Sequence, residues 1–136
     1  MSFAIDASAA AALAFIDERG PFEEGLQSKL EEGETAYVPP NFHQELLEAL
    51  LRGVRRERIS SADASAFLAF IDTCNLHMVP VGPLANGSVW MLAKQHSISA
   101  YDAGYLHAAL HLGVPLASGD ILLRRKAKAA GIEILN

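Results

Sequence analysis

Five short apolar runs, separated by segments with helical spacing, constrain the fold of this chain more than any other feature. Parallel strands need long crossover connections, which helices supply, so this alternation predicts an α/β fold with a parallel sheet and helices on both faces. Right-handed crossovers from a central first strand give the order 3-2-1-4-5. The predicted strands are Phe3 to Asp6, Thr35 to Val38, Leu76 to Val81, Val114 to Ala117 and Ile132 to Leu135.

The segments between these runs are predicted as helices from apolar spacing and from cap and stop residues. The alanine-rich stretch from Ser8 to Glu18 is stopped by Gly20-Pro21, and a loop or a short helix then reaches about Glu32. Gly113 and Gly131 stop two later helices. The other predicted helices are Asn41 to about Arg55, Ser60 to about Cys74, Leu84 to about His96, Tyr101 to Leu112 and Ile121 to Ala130.

The length of 136 residues predicts one domain, residues 1–136, whose core needs no disulfide or structural metal. The one cysteine, Cys74, is expected to serve packing and fits a reducing compartment. The longest uncharged run, Thr73 to Ala93, contains prolines and glycines that argue against a membrane-spanning helix. A secretory signal begins with basic residues, and none precedes Asp6, so a secretory signal is not expected. We therefore expect a cytoplasmic protein without a membrane partner.

The net charge of −5 argues against a protein that coats nucleic acid by charge alone, but not against an enzyme that acts on nucleic acid. Two basic clusters are present, one between Arg52 and Arg58 and one between Arg124 and Lys128. Each cluster can meet phosphate or can be a solvated helix face, and the sequence leaves both interpretations open.

Two aspartates follow apolar strands at equivalent positions. Asp6 ends the first strand and Asp120 follows the fourth, and a helix begins after each of them. These strands are neighbours in the predicted order, so both side chains are expected at the crevice where open α/β sheets bind ligands. Each aspartate also suits a helix N-cap, although Ser8 and Ser118 would serve that purpose equally well.

Three further acids lie on predicted helices. Asp102 shares a helix face with apolar residues such as Leu106, where a carboxylate needs a partner, a hydrogen bond or a cation. Alternatively, Asp102 only occupies the first turn of a helix capped by Ser99. Glu45 and Glu48 flank the apolar stripe of the helix after the second strand. Helical spacing alone does not choose between these two glutamates, and both also suit a solvated helix face.

Other features carry weaker predictions. His107 and His111 have the i, i+4 spacing of a metal pair but are expected to turn away from the Asp102 face. The run from Trp90 to Leu92 is expected in the core or at a dimer interface. The helical pair from Asn41 to Cys74 is expected to offer a groove for an amphipathic segment of a partner.

The acidic positions belong to longer motifs that follow one another along the whole chain. These motifs are Ile5-Asp6-Ala7-Ser8, Pro39-Pro40 with Glu45, Ser99-Ala100-Tyr101-Asp102-Ala103-Gly104-Tyr105-Leu106, Leu116-Ala117-Ser118-Gly119-Asp120 and Gly131-Ile132-Glu133-Ile134-Leu135. In order and spacing they resemble the motifs of PIN-domain ribonucleases, and most of all those of VapC-like toxins from VapBC-type toxin–antitoxin pairs. The run from Ser99 to Leu106 carries most of the resemblance.

The resemblance implies a PIN-like three-layer α/β/α fold and a metal-dependent endoribonuclease that hydrolyses RNA phosphodiester bonds. It implies that Mg²⁺ or Mn²⁺ is held by four catalytic acids, Asp6, Glu45, Asp102 and Asp120, with Ser8 and Ser118 in support. The resemblance also favours Glu45 over Glu48 as the glutamate of this set. Clustered carboxylates supply the hard oxygen ligands that these cations favour, so the physical chemistry agrees with the resemblance.

The same resemblance implies partners as well as a substrate. The protein would be a toxin that a cognate antitoxin protein holds inactive. Separately, we expect a homodimer. Two positions depart from the family pattern. Ser118 stands where threonine is common, and Ile121 to Leu123 offers no further acid where some members carry one, so one metal position is expected to be weaker.

Two alternatives remain open on the residues alone. The first is a catalytically weak PIN-like module that binds RNA or protein, which the convergence of the four acids would help to discriminate. The second is a phosphoryl-transfer enzyme or receiver domain with an aspartate nucleophile on the same kind of sheet. A receiver domain needs an acidic pair near the end of the first strand and a lysine after the last strand, and neither is evident.

Overall fold

The computed structural model describes residues 1–82 and 86–136, so the predicted helix start at Leu84 lies outside the described residues. The strands are β1 Ser2–Ile5, β2 Thr35–Val38, β3 Leu76–Met78 and β4 Leu116–Ala117. Within the described ranges they form one parallel sheet in the order β3-β2-β1-β4. The predicted α/β class, the parallel direction and the order of the first four strands are confirmed.

The central strand β1 is covered on both faces. Phe3, Ala4 and Ile5 are at most 1% exposed, and successive side chains of a strand point to opposite faces. Ala4 pairs with Tyr37 on β2 and with Leu116 on β4. The carboxyl ends of β1 and β4 therefore lie side by side, which brings together the residues that follow these two strands.

The prediction of a fifth strand is wrong, because the segment from Ile132 to Leu135 meets the sheet through an isolated bridge between Leu116 and Ile134. Leu116 exchanges two backbone hydrogen bonds of 2.9 Å with the residues on either side of Ile134. The N–H of Ile132 instead donates to the carbonyl of Ala127 at 2.9 Å and closes the end of the last helix. The N–H of Val114, which would extend this pairing, donates to the carbonyl of Ala109 at 3.1 Å, so no ladder forms, although the segment lies beside β4 as predicted.

Strands β3 and β4 are shorter than predicted, and a proline limits each of them. Pro80 follows β3 and Pro115 precedes β4, and proline has no N–H to donate to a ladder. The N–H of Val79 still donates to the carbonyl of Val38 at 2.8 Å. Pairing on this side of the sheet ends there.

Helices connect the strands. They are α1 Ala7–Ala12, α2 Pro21–Glu31, α3 Phe42–Arg55, α4 Ser61–Thr73, α5 Asn86–His96, α6 Ala100–Leu112 and α7 Ile121–Ala129. The predicted caps are present: the hydroxyl of Ser60 accepts a backbone hydrogen bond at the start of α4, and Gly113 ends α6 with a φ of 64°. In the described part of the chain, no helix is both long enough and apolar enough to cross a membrane.

The first helix is shorter than predicted, and the second is a full helix. Helix α1 ends after 6 residues, and Ile16–Glu18 forms a separate 3₁₀ turn. Where the chain leaves the helix, both Leu13 and Phe15 are buried. The guanidinium of Arg19 donates a hydrogen bond of 2.9 Å to the carbonyl of Leu13, which satisfies an acceptor at the helix end. Pro21 occupies the first turn of α2, where its fixed φ favours a helix start.

One hydrophobic cluster joins the sheet to α3 and α6. On α3, the buried residues are Phe42, Leu46 and Leu50, at most 3% exposed. On α6, Leu106 is fully buried but Leu110 is 42% exposed. The apolar face predicted around Asp102 is therefore buried in its first turns and exposed near the end of the helix.

The prediction that the run from Trp90 to Leu92 lies in the core is wrong for its first two residues. Trp90 is 64% exposed and Met91 is 61% exposed, whereas Leu92 is partly buried against the core. The side chains of Trp90 and Met91 therefore project from the outer side of α5. The other prediction for this run, a dimer interface, stays a prediction.

Candidate active site

A cavity of about 270 Å³ opens where the carboxyl ends of β1 and β4 meet α3 and α6. Its position matches the crevice at which open α/β sheets bind ligands. The four acids that the resemblance implies line this cavity, and so does the alternative glutamate, Glu48. Its wall consists of Asp6, Ala7, Ser8, Glu45, Glu48, Ala49, Arg52, Asp102, Tyr105 and Asp120.

Asp6 is the most tightly held of these acids. Its side chain is buried, with only 3% of the residue exposed. Oδ1 accepts hydrogen bonds from the hydroxyl of Ser8 at 2.7 Å and from the N–H of Ala9 at 2.8 Å, while Oδ2 accepts one from the hydroxyl of Ser118. Both oxygens of Asp6 are therefore oriented by the protein itself.

The two serines also tie the loop after β4 to Asp6. The hydroxyl oxygen of Ser8 accepts the N–H of Gly119 at 3.1 Å, and that of Ser118 accepts the N–H of Asp120 at 3.0 Å. A Cβ at Gly119 would lie 3.4 Å from the Ser8 hydroxyl, so glycine lets the loop approach closely. Each serine thus donates to Asp6 while it accepts from the loop that carries Asp120.

The protonation of Asp6 depends on burial and on its neighbours. Burial raises the pKa of Asp6 above its usual range, and the negative charge of Asp120 raises it further. The hydrogen bonds from Ser118, Ala9 and Ser8 lower the pKa and so act against this rise. Asp6 and Asp120 are consequently close enough to repel each other.

Asp120 and Asp6 both cap helices as well as line the cavity. Oδ1 of Asp120 accepts the N–H of Leu123 at 3.0 Å and caps α7, just as Asp6 caps α1 through Ala9. The interpretation of both residues as N-caps is therefore correct. Capping engages one oxygen of each carboxylate, so it is compatible with a place in the site.

Glu45 differs from Glu48 in its hydrogen bonds. Oε2 of Glu45 accepts a hydrogen bond of 2.6 Å from the Tyr105 hydroxyl and another from the side-chain amide of Asn41. Glu48 instead lies 3.6 Å from the guanidinium of Arg55, in an exposed ion pair. The structure thus gives a physical reason to prefer Glu45: two donors fix its carboxylate at the cavity.

Asp102 lies half-buried in the first turn of α6, where its N–H donates to the Ser99 hydroxyl at 3.0 Å. Burial raises the pKa of Asp102, and the negative charges of Asp120 and Glu45 raise it further. The carboxylates of Asp102, Asp120 and Glu45 are therefore within electrostatic reach of one another around the cavity.

Sequence reasoning gave Tyr105 no separate role in the site, and it named Arg52 only as part of a basic cluster that can meet phosphate. Tyr105 stands three residues after Asp102, so helical spacing could have placed it on a neighbouring face. Burial and the hydrogen bond to Glu45 raise its pKa, and Tyr105 remains a proton donor to that carboxylate. Arg52 stands four residues after Glu48 on α3 and lines the cavity as a cation.

The chemistry of the wall fits a hard divalent cation, because carboxylate oxygens are the ligands that Mg²⁺ and Mn²⁺ favour. Within residues 1–82 and 86–136, however, no three His, Cys, Asp or Glu side chains stand close enough to form a complete ligand set. Like-charged carboxylates repel one another. The donor set therefore suits the cation in kind, and the carboxylates stand in an open arrangement.

The histidine pair on α6 lies apart from this wall. Nδ1 of the buried His107 lies 3.1 Å from the hydroxyl of Ser88, and the rings of His107 and His111 stack with centroids 5.5 Å apart. Burial lowers the pKa of His107, and the charge of His111 lowers it further. The contacts of this pair are those of packing.

The fold agrees with comparisons to known proteins. The crystal structure of PAE2754 from Pyrobaculum aerophilum superimposes with a TM-score of 0.70 at 24% identity, over 93% of this chain and 84% of that chain, which shows a shared fold. A search of curated proteins gives no match. The profile of the PIN domain family matches residues 3–129, which is most of the chain. The chain therefore belongs to the PIN domain family.

Proposed function

We propose that this protein is an endoribonuclease that hydrolyses RNA phosphodiester bonds with Mg²⁺ or Mn²⁺ held by Asp6, Glu45, Asp102 and Asp120. PIN domain proteins are generally nucleases, which supports the reaction class. The observation that carries the proposal is the cavity itself, because four acids from distant parts of the chain line one opening at the sheet edge. Acids gathered in this way repel one another, which is unfavourable without a cation.

A divalent cation bound at this site would supply Lewis acidity toward the phosphodiester and would make a water molecule more acidic. The side chains of the protein hold the acids in place for that role. Ser8 and Ser118 orient Asp6, and Tyr105 orients Glu45. Arg52, at the same wall, offers a positive charge to a substrate phosphate.

The test is the cleavage of a panel of RNAs by the purified protein in Mg²⁺ or Mn²⁺ and in EDTA. We expect cleavage that EDTA abolishes and that falls by roughly a hundredfold or more in Asp6→Asn and in Asp102→Asn. Glu48→Gln is the matched control, since Glu48 lines the same cavity but pairs with Arg55. Activity that persists in EDTA and in both aspartate variants would overturn the proposal.

We also propose that the nuclease is the toxin of a toxin–antitoxin pair in the cytoplasm. The motif resemblance to VapC-like toxins supports this, and α3 presents a surface for a partner. Leu47 and Leu51, one turn apart on α3, are 44% and 49% exposed and line a groove with Tyr101 beside Glu45. An amphipathic segment of an antitoxin would fit such a groove and block the cavity.

Expression in a bacterial host tests the toxin role. The intact chain should arrest growth, Asp102→Asn should not, and a small DNA-binding protein encoded next to the gene should relieve the arrest. Equal growth with the intact chain and with the variant would contradict it.

A homodimer is proposed through the exposed Trp90 and Met91 of α5. Sedimentation should then show a dimer that Trp90→Glu converts to a monomer.

A catalytically weak module that binds RNA or protein is the second candidate. The open arrangement of the acids favours it, since the described residues provide no complete ligand set. The two candidates differ in the cleavage assay. A weak module would bind RNA without cation-dependent cleavage, and Asp102→Asn would leave its behaviour unchanged.

A further inference from the structure

A groove of about 280 Å³ runs along α7, outside the cavity of the four acids. Ile121, Arg124, Arg125 and Lys128 line it, at the i, i+3, i+4 and i+7 positions of one helix face. Ile121 is 74% exposed, and Arg125 and Lys128 are also exposed. We call this face the α7 basic groove.

Three other basic side chains, Lys29, Arg55 and Arg58, pair with acids. Arg58 is neutralised by Asp17 and Glu18, and Arg55 pairs with Glu48. The α7 basic groove has no such neutralisation. Arg124 donates to the side-chain carbonyl of Asn136, and neither Arg124, Arg125 nor Lys128 has an acidic partner among residues 1–82 and 86–136. Three positive charges therefore stand together in a molecule whose net charge is −5.

The groove begins next to the acids. Asp120 is the N-cap of α7, so the helix starts at the wall of the cavity and leads away from it. With a rise of 1.5 Å per residue, Arg124 lies about 6 Å and Lys128 about 12 Å from Asp120 along the helix axis. Phosphates of one strand rise by about 3.4 Å each along the axis of a duplex and lie farther apart along the strand itself, so this length covers about two or three of them.

We propose that the α7 basic groove binds the phosphate backbone of the RNA next to the bond that is cut, and that it holds the strand across the cavity. The inference rests on the proposed nuclease function for its substrate. Arg125 and Lys128 contact phosphates and confer no base preference, while the exposed apolar surface of Ile121 receives a base or a sugar. The strand thus gains affinity at a positive surface and meets the negatively charged cavity only at one phosphodiester.

The test measures the binding of a fluorescent single-stranded RNA of about twelve nucleotides by the Asp102→Asn chain in Mg²⁺, over a range of salt concentrations. In that background, the double change Arg125→Gln and Lys128→Gln should weaken binding about tenfold. It should also reduce the slope of log K against log salt by about 1.4, since each phosphate contact to a single strand contributes about 0.7. Arg56→Gln with Lys94→Gln is the control, because it removes the same charge from two exposed positions outside α7, the C-cap of α3 and helix α5.

The control should change the slope much less than the α7 variant does. An unchanged slope in the α7 variant, with an unchanged melting temperature, would overturn the inference, as would an equal loss in the control. A failure of this inference can be told apart from a failure of the proposed function. A protein that cleaves no RNA in Mg²⁺ would refute the nuclease while the binding assay still reports on the groove.

Discussion

Among single residues, Tyr105 shows how the protein positions an acid. Its hydroxyl donates to Oε2 of Glu45 from a helix 60 residues away in the chain, and the residue is 2% exposed. A buried donor of this kind fixes the rotamer of the carboxylate, because the alternative is an unsatisfied hydroxyl. We infer that Tyr105 positions Glu45 for the cation without reacting itself.

The first prediction concerns Tyr105→Phe. Loss of the donor frees the Glu45 carboxylate, and hydrogen bonds to charged groups are worth about 1.5–3 kcal/mol. We expect the rate of RNA cleavage in saturating Mg²⁺ to fall about tenfold to a hundredfold, and the melting temperature to fall by several degrees because the same buried hydrogen bond is lost. Tyr101→Phe is the control, since Tyr101 is 65% exposed. Equal rates for Tyr105→Phe and the wild type would contradict the positioning role.

His107 gives a pH prediction. Burial lowers its pKa in the folded protein, so below the usual value of 6.5 the unfolded chain binds a proton that the folded chain resists. Stability should therefore fall as the pH decreases through 6.5 toward the lower folded pKa, which a series of melting temperatures between about pH 7.5 and pH 5.5 measures. His107→Asn keeps a polar partner for Ser88 and should flatten this decline. An identical decline in the variant would contradict the assignment.

At the scale of elements, α3 carries both an acid of the site and a close packing contact. Gly53 lies on α3 where a Cβ would stand 2.7 Å from Cζ of Phe15 and 3.3 Å from Cγ2 of Ile59. Phe15 has little room to move, because it is 3% exposed and the guanidinium of Arg58 stacks over its ring at 4.2 Å. Gly53 therefore sets the distance between α3 and the turn that follows α1.

The corresponding prediction is that Gly53→Ala destabilises the protein. A glycine replaced by alanine within a helix gains up to about 1 kcal/mol, but overpacking against a buried ring costs about 1–3 kcal/mol. The clash should win, and urea unfolding should show a loss of about 1–2 kcal/mol. Gly25→Ala on α2 is the control, since a Cβ there has no neighbour within 4 Å. An increase in stability for Gly53→Ala would contradict the packing account.

The elements also show what a sequence can predict. The order of the first four strands follows from apolar runs and crossover handedness, and Asp6 and Asp120 follow from the ends of two strands. The choice between Glu45 and Glu48 does not follow from the sequence, because it depends on a hydrogen bond that Tyr105 donates from a helix distant in the chain. The wrong prediction of a fifth strand has a similar cause. The N–H of Val114, which would extend the pairing with the last segment, donates to the carbonyl of Ala109 on α6, and an apolar run does not show this.

For the whole molecule, the charges are divided between two neighbouring surfaces. The acids line one cavity at the edge of the sheet, and the α7 basic groove begins at its wall. A polyanion could approach such a cavity only with cations from solution or from the protein. The proposed cation and the proposed groove would thus both offset the repulsion between the RNA and the acids, the cation inside the cavity and the groove beside it.

The central claim is that a divalent cation binds among Asp6, Glu45, Asp102 and Asp120, and its most direct test is the melting temperature with and without Mn²⁺. At a hundred times the dissociation constant, binding adds about 2.7 kcal/mol of stability, which corresponds to a rise of roughly 5–15 °C for a chain of this size. We predict this rise for the wild type and for Glu48→Gln, and its loss in Asp6→Asn. An unchanged melting temperature in the wild type, or an equal rise in Asp6→Asn, would contradict the claim.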